Sequence, residues 1–346
     1  MFSLITLLAC LAGYWYLSPE PTNTQPQVLP LVKQEPAIAK QVTEASLKKP
    51  QIKHQIDIIP ESISESFSIL AEAYATELTI PSYSVPITAE DTHLLNPNNY
   101  LPQQVPLQNG GSASIVLTKY RYSYPEPILV KLVVNGMVVT AAAASIKSEL
   151  GLAENILAKA DMLEEQGEWT VNLKAKEEWD EPVQISVTFD ANGKKQTLST
   201  GIEYSHPTAT ITGVGSVRAE GSDMVIPVKL TVEKAGHYRL RANLFTTNDQ
   251  PIALLTQSKN LSEGDVTMEL KAYKAVLSSH STGFKLSSFV LELRPGVPGE
   301  LTRYGHSKQP SFDLGDFAVE QLSDELWQPN EQEQQRLEFL QKMSGS

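Results

Sequence analysis

Cysteine is nearly absent from this chain of 346 residues, which contains only Cys10, within an apolar N-terminal segment. A single cysteine cannot form an internal disulfide, and the rest of the chain has no thiol that could act as a nucleophile or bind a metal. The stability of the folded region must therefore come from packing. The hydrophobic fraction of 41% is sufficient to form substantial cores.

Basic residues are also scarce, with 28 lysines and arginines against 40 aspartates and glutamates and a net charge of −12. Proteins that bind nucleic acids neutralise phosphates with clustered lysine and arginine. No run of basic residues in this chain provides such a cluster. The composition therefore excludes nucleic acid as an expected partner.

The common signatures of catalysis and cofactor binding are missing as well. The six histidines show no His-x-His or His-x-x-x-His spacing, and the chain lacks Gly-x-Ser-x-Gly, the phosphate-binding glycine loop and Gly-x-Gly-x-x-Gly. Asp190 and Asn192 resemble the start of a calcium loop, but a hairpin turn explains them better because no downstream carboxylates follow. The sequence therefore predicts no enzyme, no cofactor and no metal site.

The N-terminal region predicts a link to a membrane. Residues 2–17 (FSLITLLACLAGYWYL) are uncharged, and residues 18–60 contain seven prolines. This pattern predicts a membrane anchor or signal segment at 1–17 and an extended, Pro-rich linker at 18–60. We expect a single-pass protein of the bacterial inner membrane with its body in the periplasm. Two alternatives stay open: secretion after cleavage, or lipid attachment at Cys10, because LLAC resembles a lipobox.

The region at 61–109 predicts an amphipathic helix followed by an irregular connector. Apolar side chains recur at helical spacing at Ile63, Phe67, Leu70, Tyr74 and Leu78. An amphipathic helix needs a surface to cover its apolar face. We expect this helix to pack on the first β-sandwich, with docking to a partner as the alternative.

Alternation of polar and apolar residues predicts β-sandwich 1 at 110–205. Asn135 and Gly136 predict a tight hairpin between the strands on either side of them, and the turn at 190–193 predicts a second hairpin. Residues 153–166 have apolar residues at helical spacing and predict a short helix or a crossover.

A second alternating stretch predicts β-sandwich 2 at 206–296. Pro227 lies within one of its strands and predicts an edge position, because proline cannot donate a ladder hydrogen bond. The run GHYRLRANLF separates a core-facing row from a polar row, which either binds an anion or faces solvent. The core-facing row is Tyr238, Leu240, Ala242 and Leu244, and the polar row is His237, Arg239, Arg241 and Asn243.

The run GHYRLRANLFTTNDQPIALL, with NLSEGDVTMEL after it, resembles the extracytoplasmic immunoglobulin-like modules of bacterial surface and periplasmic proteins. An aromatic-led strand, an Asn/Asp turn and a strand of the form Leu-x-x-Gly-x-x-x-x-x-Leu carry the resemblance, which covers 207–295 well and 110–204 loosely. It implies a mainly β fold of two tandem immunoglobulin-like antiparallel β-sandwiches, with an N-terminal apolar helix and short peripheral helices. It supplies no catalytic residues.

Aromatic residues in the first sandwich are candidates for ligand binding. Three tyrosines alternate along one strand, and two tryptophans lie near strand ends; these residues are Tyr120, Tyr122, Tyr124, Trp169 and Trp179. Exposed rings at such positions would form a stacking platform for a glycan or a contact for a protein. The alternative interpretation places the tyrosines on the buried face of the sandwich.

The region at 297–346 is an acidic C-terminal tail that ends in a predicted helix. Leu337, Leu340 and Met343 give this helix an apolar face, which would either fold back on the protein or dock into a partner groove. Together these features predict a non-catalytic, envelope-anchored interaction or scaffold protein whose partner is an envelope protein or a glycan. A carbohydrate-binding sandwich and an enzyme with a spatially assembled site are the alternatives.

Overall fold

The computed structural model describes residues 61–108, 110–149, 156–277 and 283–345. Within these ranges the chain is mainly β. The strands are β1 (Ser84–Pro86), β2 (Val105–Pro106), β3 (Ser112–Leu117), β4 (Arg121–Ser123), β5 (Ile128–Asn135), β6 (Val139–Ser148), β7 (Ile156–Asp161), β8 (Leu163–Glu165), β9 (Glu168–Leu173), β10 (Val183–Ala191), β11 (Lys194–Ser205), β12 (Ala209–Val214), β13 (Arg218–Glu220), β14 (Asp223–Val232), β15 (Gly236–Thr246), β16 (Pro251–Leu261), β17 (Gly264–Tyr273), β18 (Gly283–Leu293), β19 (Arg303–Tyr304), β20 (His306–Ser307) and β21 (Ser311–Asp316). The helices are α1 (Glu61–Glu77), α2 (Thr92–Leu95), α3 (Lys274–Leu277), α4 (Glu331–Met343) and a 3-10 turn (Val319–Gln321).

The segment predicted to reach the membrane lies outside the described residues. This applies to the anchor or signal segment at 1–17, to its Cys10 and to the linker at 18–60. In the part of the chain that the structure describes, every helix is too short or too polar to span a bilayer.

The first sandwich consists of two facing sheets with strand orders β2-β3-β5-β9-β8 and β4-β11-β10-β6-β7. Alternate side chains of β3, β5 and β10 point inward, as the period of two predicts. The core between the sheets includes Ile128, Leu132, Ile185 and Phe189. Neighbouring strands run antiparallel except for a short parallel pairing of β4 with β11.

The turn at Asn135 and Gly136 does not form the predicted hairpin. β5 pairs with β3 and β9, whereas β6 pairs with β10 and β7, so the turn carries the chain from one sheet to the other. Gly136 has the positive φ of +76° that the sequence indicated, but turn chemistry does not decide whether the flanking strands pair. The second hairpin is confirmed, because β10 and β11 pair across the turn at Asn192 and Gly193.

Of the two alternatives predicted for 153–166, the helix is wrong and the crossover is correct for the described part, which forms β7 and β8. β7 pairs with β6 and β8 pairs with β9, so the chain crosses between the two sheets at the buried Met162. β7 and β8 are thus the terminal strands of the two sheets. Leu163 is 67% exposed, so the helical spacing of apolar residues did not mark a packed face.

The second sandwich has one sheet of order β1-β16-β15-β18-β19, with β21 also on β18, and one of order β13-β14-β12-β20, with β17 also on β14. The predicted core-facing row of β15 is confirmed, because Tyr238, Leu240, Ala242 and Leu244 are all fully buried. The predicted polar row is wrong at Asn243, which is also fully buried and whose amide donates to the Leu94 carbonyl at 2.7 Å, after a shift in register between Arg241 and Asn243. β15 also forms the predicted antiparallel hairpin with β16. The core between the two sheets is larger than that of the first sandwich and includes Met268, Leu270 and Phe284.

Pro227 does not mark an edge strand. β14 pairs with β17 along one side and with β12 and then β13 along the other. On that second side Pro227 falls in the gap between Val228, the last partner of β12, and Val225, the first partner of β13. Its carbonyl accepts a hydrogen bond from the Gly215 N–H at 2.7 Å, and the missing proline N–H disrupts no ladder.

Segments from outside 206–296 complete the second sandwich. β1 precedes the first sandwich in the chain and pairs with β16, while β19 and β21 pair with β18 and β20 runs parallel to β12. The tail side chains Phe312, Phe317 and Leu322 are buried in this core. The tail therefore returns to the body as far as Leu322.

The predicted N-terminal helix forms, but it packs on the C-terminal helix and not on the first sandwich. The Ser64 hydroxyl donates to the Ser344 carbonyl at 2.6 Å, and the rings of Phe67 and Phe339 meet edge to face at 6.5 Å. These contacts place the start of α1 beside the end of α4, so the two helices are antiparallel. We refer to α1 and α4 as the helix pair.

Candidate functional site

The aromatic residues of the first sandwich do not form a common platform. Tyr122 and Trp179 are 2% and 0% exposed, and the Trp179 ring meets Tyr204 edge to face at 5.4 Å within the core. Trp179 and Tyr122 therefore present no ring face to a ligand in this structure.

Two of the remaining members of the aromatic set, Tyr124 and Trp169, pack against the first core. Tyr120 is 39% exposed, Tyr124 stacks on His206 with ring centroids 4.6 Å apart, and Trp169 is half-buried on β9 against the first core. The tyrosines separate because β4 contains only Arg121–Ser123. Tyr120 and Tyr124 thus lie just outside the strand.

The tyrosines border instead the joint between the two sandwiches. Arg303 on β19 donates to the carboxylate and to the carbonyl of Asp180, both at 2.8 Å. The Arg121 guanidinium lies 4.7 Å from the ring centroid of Tyr304, a distance at which cation–π attraction stabilises a contact. A cavity of about 190 Å³ lies beside these contacts. The joint is thus held by charge and aromatic contacts.

Two titratable groups in the joint are perturbed by their surroundings. Burial and the neighbouring Glu149 carboxylate raise the pKa of Glu203, although Arg121 acts in the opposite direction. Burial lowers the pKa of His306. Desolvation disfavours the charged form in both cases. The Arg303–Asp180 ion pair and the Arg121–Tyr304 contact link the two sandwiches directly, so this arrangement favours a structural role.

The helix pair carries a large apolar surface that neither helix covers. Ile63, Ile69 and Leu70 on α1 are 45%, 65% and 54% exposed, and Phe339 on α4 is 57% exposed. Ile63 and Leu70 are two helical turns apart and so share one side of α1. An apolar surface of this kind typically marks a protein contact.

The residues proposed from the tail sequence, Leu337, Leu340 and Met343, are only half-buried, whereas Ala71 on α1 is fully buried. The tail helix begins with a capping box, in which Asn330 accepts from the Glu333 N–H at 3.0 Å and Glu333 reaches back to the Asn330 N–H at 2.9 Å. This cap fixes the start of α4.

A cleft of about 450 Å³ lies where the chain enters and leaves the helix pair. The Tyr83 hydroxyl donates to both carboxylate oxygens of Asp223, at 2.8 and 3.0 Å. The rings of Tyr83 and Trp327 meet edge to face at 5.7 Å. The Tyr273 hydroxyl accepts from the Trp327 N–H at 2.9 Å. These contacts fasten the tail to the second sandwich.

This cleft is not predictable from the sequence, because its walls come from four distant segments. Tyr83 precedes β1, Asp223 begins β14, Tyr273 ends β17 and Trp327 lies before α4. The available signal was Trp327 itself, a large aromatic residue in an otherwise acidic tail. A tryptophan in such a segment indicates a local contact.

No protein-family model and no curated protein sequence matches the chain. Among solved structures, a DUF4785 family protein from Legionella pneumophila is similar at 15% identity and a TM-score of 0.39, over 52% of this chain and 52% of its own. Escherichia coli alpha-2-macroglobulin activated by porcine elastase matches at 12% identity and a TM-score of 0.23, over 58% of this chain and 22% of its own.

Salmonella alpha-2-macroglobulin reacted with methylamine matches at 14% identity and a TM-score of 0.24, over 59% of this chain and 16% of its own. The chain thus spans about half the length of the Legionella protein and less than a quarter of each macroglobulin. The matched proteins are β-rich.

Proposed function

We propose that this chain is a non-catalytic interaction protein of the bacterial cell envelope, tethered through residues 2–17, which binds a partner protein through its helix pair. In this proposal its body consists of two immunoglobulin-like β-sandwiches, and the first lies in the chain between β1 and the other strands of the second. The observation that supports this proposal is the exposure of apolar side chains on the helix pair. The apolar N-terminal segment supports the tether.

The chemistry of the helix pair defines the kind of partner. Ile63, Leu70 and Phe339 offer apolar area, which favours protein contacts over solvent. The sequence of α1 contains four glutamates and no basic residue, and α4 contains three glutamates, Arg336 and Lys342, so the pair has a net charge of 2 − 7 = −5. A partner that complements both properties is a basic, amphipathic segment of another protein.

The same charge argues against a lipid surface as the occupant. Anionic headgroups attract basic segments and repel acidic ones, and amphipathic helices that lie on membranes have lysine and arginine on their polar face. The helix pair has the opposite character. We therefore assign its apolar surface to a protein partner.

Glycan binding loses its main support. That alternative relied on ring faces at three tyrosines and two tryptophans of the first sandwich. Tyr122 is buried and Tyr124 packs against the first core. Trp179 is fully buried and Trp169 packs against the core. The geometry therefore favours the protein-binding proposal.

A peptide titration tests the proposal on the full chain in mild detergent. We expect a basic amphipathic helix of leucine and lysine to bind, and its leucine and glutamate counterpart to remain unbound, in fluorescence anisotropy. Leu70→Ser should lower the affinity for the lysine peptide at least about tenfold, because the substitution removes apolar area that the bound peptide would bury. Leu129→Ser, at an exposed site on the first sandwich, serves as the matched control.

Equal affinity of both peptides would contradict the charge argument. Equal weakening by Leu70→Ser and Leu129→Ser would contradict the choice of surface. A photo-crosslinker at position 70 or 339 in cells should then identify the natural partner, with position 129 as the reference.

A further inference from the structure

The cleft at the base of the helix pair combines aromatic walls with carboxylates. Its described lining includes Tyr83, Tyr273, Trp327, Glu220, Asp223 and Glu325. No lysine or arginine occurs among the described residues that line it. Aromatic faces next to carboxylates are the typical surroundings of a bound organic cation.

The negative charge at Asp223 is only partly compensated. Its carboxylate accepts from the Tyr83 hydroxyl, and Lys271 Nζ lies 3.7 Å from it. Lys271 also pairs with Glu220 at 3.3 Å, and Arg218 pairs with Glu220 at 3.3 Å, so Asp223 shares Lys271 with a second carboxylate. Burial still raises the pKa of Asp223 above its usual range. An additional cation would therefore stabilise the ionised form.

The aromatic walls are held in place by the tail. The Tyr273 hydroxyl contacts both the Glu325 carbonyl, at 3.3 Å, and the Trp327 N–H, and the Ser222 hydroxyl donates to the Glu325 carbonyl at 2.8 Å. Trp327 and Tyr83 remain half-buried, so part of each ring borders the cleft. Preformed walls reduce the ordering cost of binding.

We propose that this cleft binds the alkylammonium group of a lysine side chain, supplied by the partner segment that covers the helix pair. The inference rests on the proposed function, because the partner there is basic. The ammonium would lie between the carboxylates of Asp223 and Glu325, with its methylene stem against Trp327. The cleft thereby determines where along the helix pair the basic segment is held.

The probe is Nα-acetyl-lysine methylamide, titrated into the full chain and followed by saturation-transfer NMR and calorimetry. We expect weak but measurable binding, and at least about tenfold weaker binding of the neutral norleucine analogue, because the charge contributes most of the affinity. Glu325→Gln preserves the backbone carbonyl that fastens the tail. The variant should lower the affinity for the lysine probe several-fold. Glu263→Gln, in the turn between β16 and β17, is the matched control and should leave binding unchanged.

Three results would overturn the inference: equal binding of the lysine and norleucine probes, equal effects of Glu325→Gln and Glu263→Gln, or saturation transfer to methyl glucoside in place of the lysine probe. The last result would indicate a glycan site. The inference and the proposed function fail separately. If the lysine probe binds while the basic peptide does not, the cleft is a cation site and the helix pair is not the docking surface.

Discussion

At the level of single residues, Glu292 shows that polar side chains along a strand can stabilise the fold itself. It lies opposite Arg239 in the β15–β18 ladder and is 6% exposed. Arg239 Nε donates to it at 2.6 Å and Arg241 Nη2 at 2.9 Å. The two arginines that the sequence assigned to solvent or to an external anion thus bind an internal carboxylate.

This arrangement predicts unequal effects along one face of β15. Arg241→Ala should lower the free energy of unfolding by about 1–3 kcal/mol, less than for a fully buried pair because the arginine is partly exposed, and because Arg239 remains. His237→Ala should change it by less than about 0.5 kcal/mol, because this side chain is exposed. Leu240→Ala should cost about 2–5 kcal/mol by leaving a core cavity.

Urea unfolding of the three variants measures these differences. Equal, small changes for Arg241→Ala and His237→Ala would show that Glu292 does not depend on the second arginine.

The same residues show which features of the fold can be predicted from the sequence and which cannot. Burial of Tyr238 and Leu240 was predictable, because a strand with one covered face imposes a period of two on its own sequence. The pairing of Arg241 with Glu292 could not be predicted, because Glu292 lies on another strand. The register between two strands cannot be read from the sequence of either strand alone. Likewise Asn135 and Gly136 specify a turn, but the sheet that the chain enters next depends on distant strands.

At the level of elements, the tail consists of two parts with different roles. Residues 306–322 contribute β20, β21 and the core side chains Phe312, Phe317 and Leu322. The segment from Asn330 onward forms α4, which contacts α1. In the sequence the two parts form one continuous acidic tail. Its apolar residues are compatible both with folding back on the protein and with docking into a partner groove.

Two truncations separate these roles. Deleting residues 307–346 should lower the melting temperature of the body clearly, because three buried side chains are lost and each contributes about 1.5–3 kcal/mol. Deleting residues 330–346 should leave the main transition nearly unchanged and abolish peptide binding at the helix pair. Differential scanning calorimetry and the peptide titration provide the readouts. A similar loss of stability in both truncations would mean that α4 is part of the cooperative core.

At the level of the whole molecule, the joint between the sandwiches determines how rigid the body is. Its contacts include the Arg303–Asp180 ion pair and the Arg121–Tyr304 contact. The His206 N–H also donates to Asp180 at 2.8 Å. Neither pair belongs to a hydrophobic core, so the orientation of the sandwiches depends on polar groups near the surface.

The variant Arg121→Ala with Arg303→Ala should therefore loosen the body without unfolding either sandwich. We expect little change in the main unfolding transition, because exposed pairs contribute about 0–1 kcal/mol each, but a larger radius of gyration by small-angle X-ray scattering. Arg218→Ala removes two exposed ion pairs within the second sandwich, to Glu220 and to Glu269, and is the control. Identical scattering of both variants and the unmodified protein would place the rigidity elsewhere.

The pairing of β1 with β16 has a consequence for biosynthesis. The second sandwich takes residues 84–86 and then resumes at Ala209, so the first sandwich is an insertion within it. The inserted unit is continuous in the chain and can complete its fold early. β1 must wait until 165 further residues, from Pro86 to Pro251, have left the ribosome. At usual rates of translation this delay is on the order of ten seconds, during which β1 and the apolar face of α1 need protection.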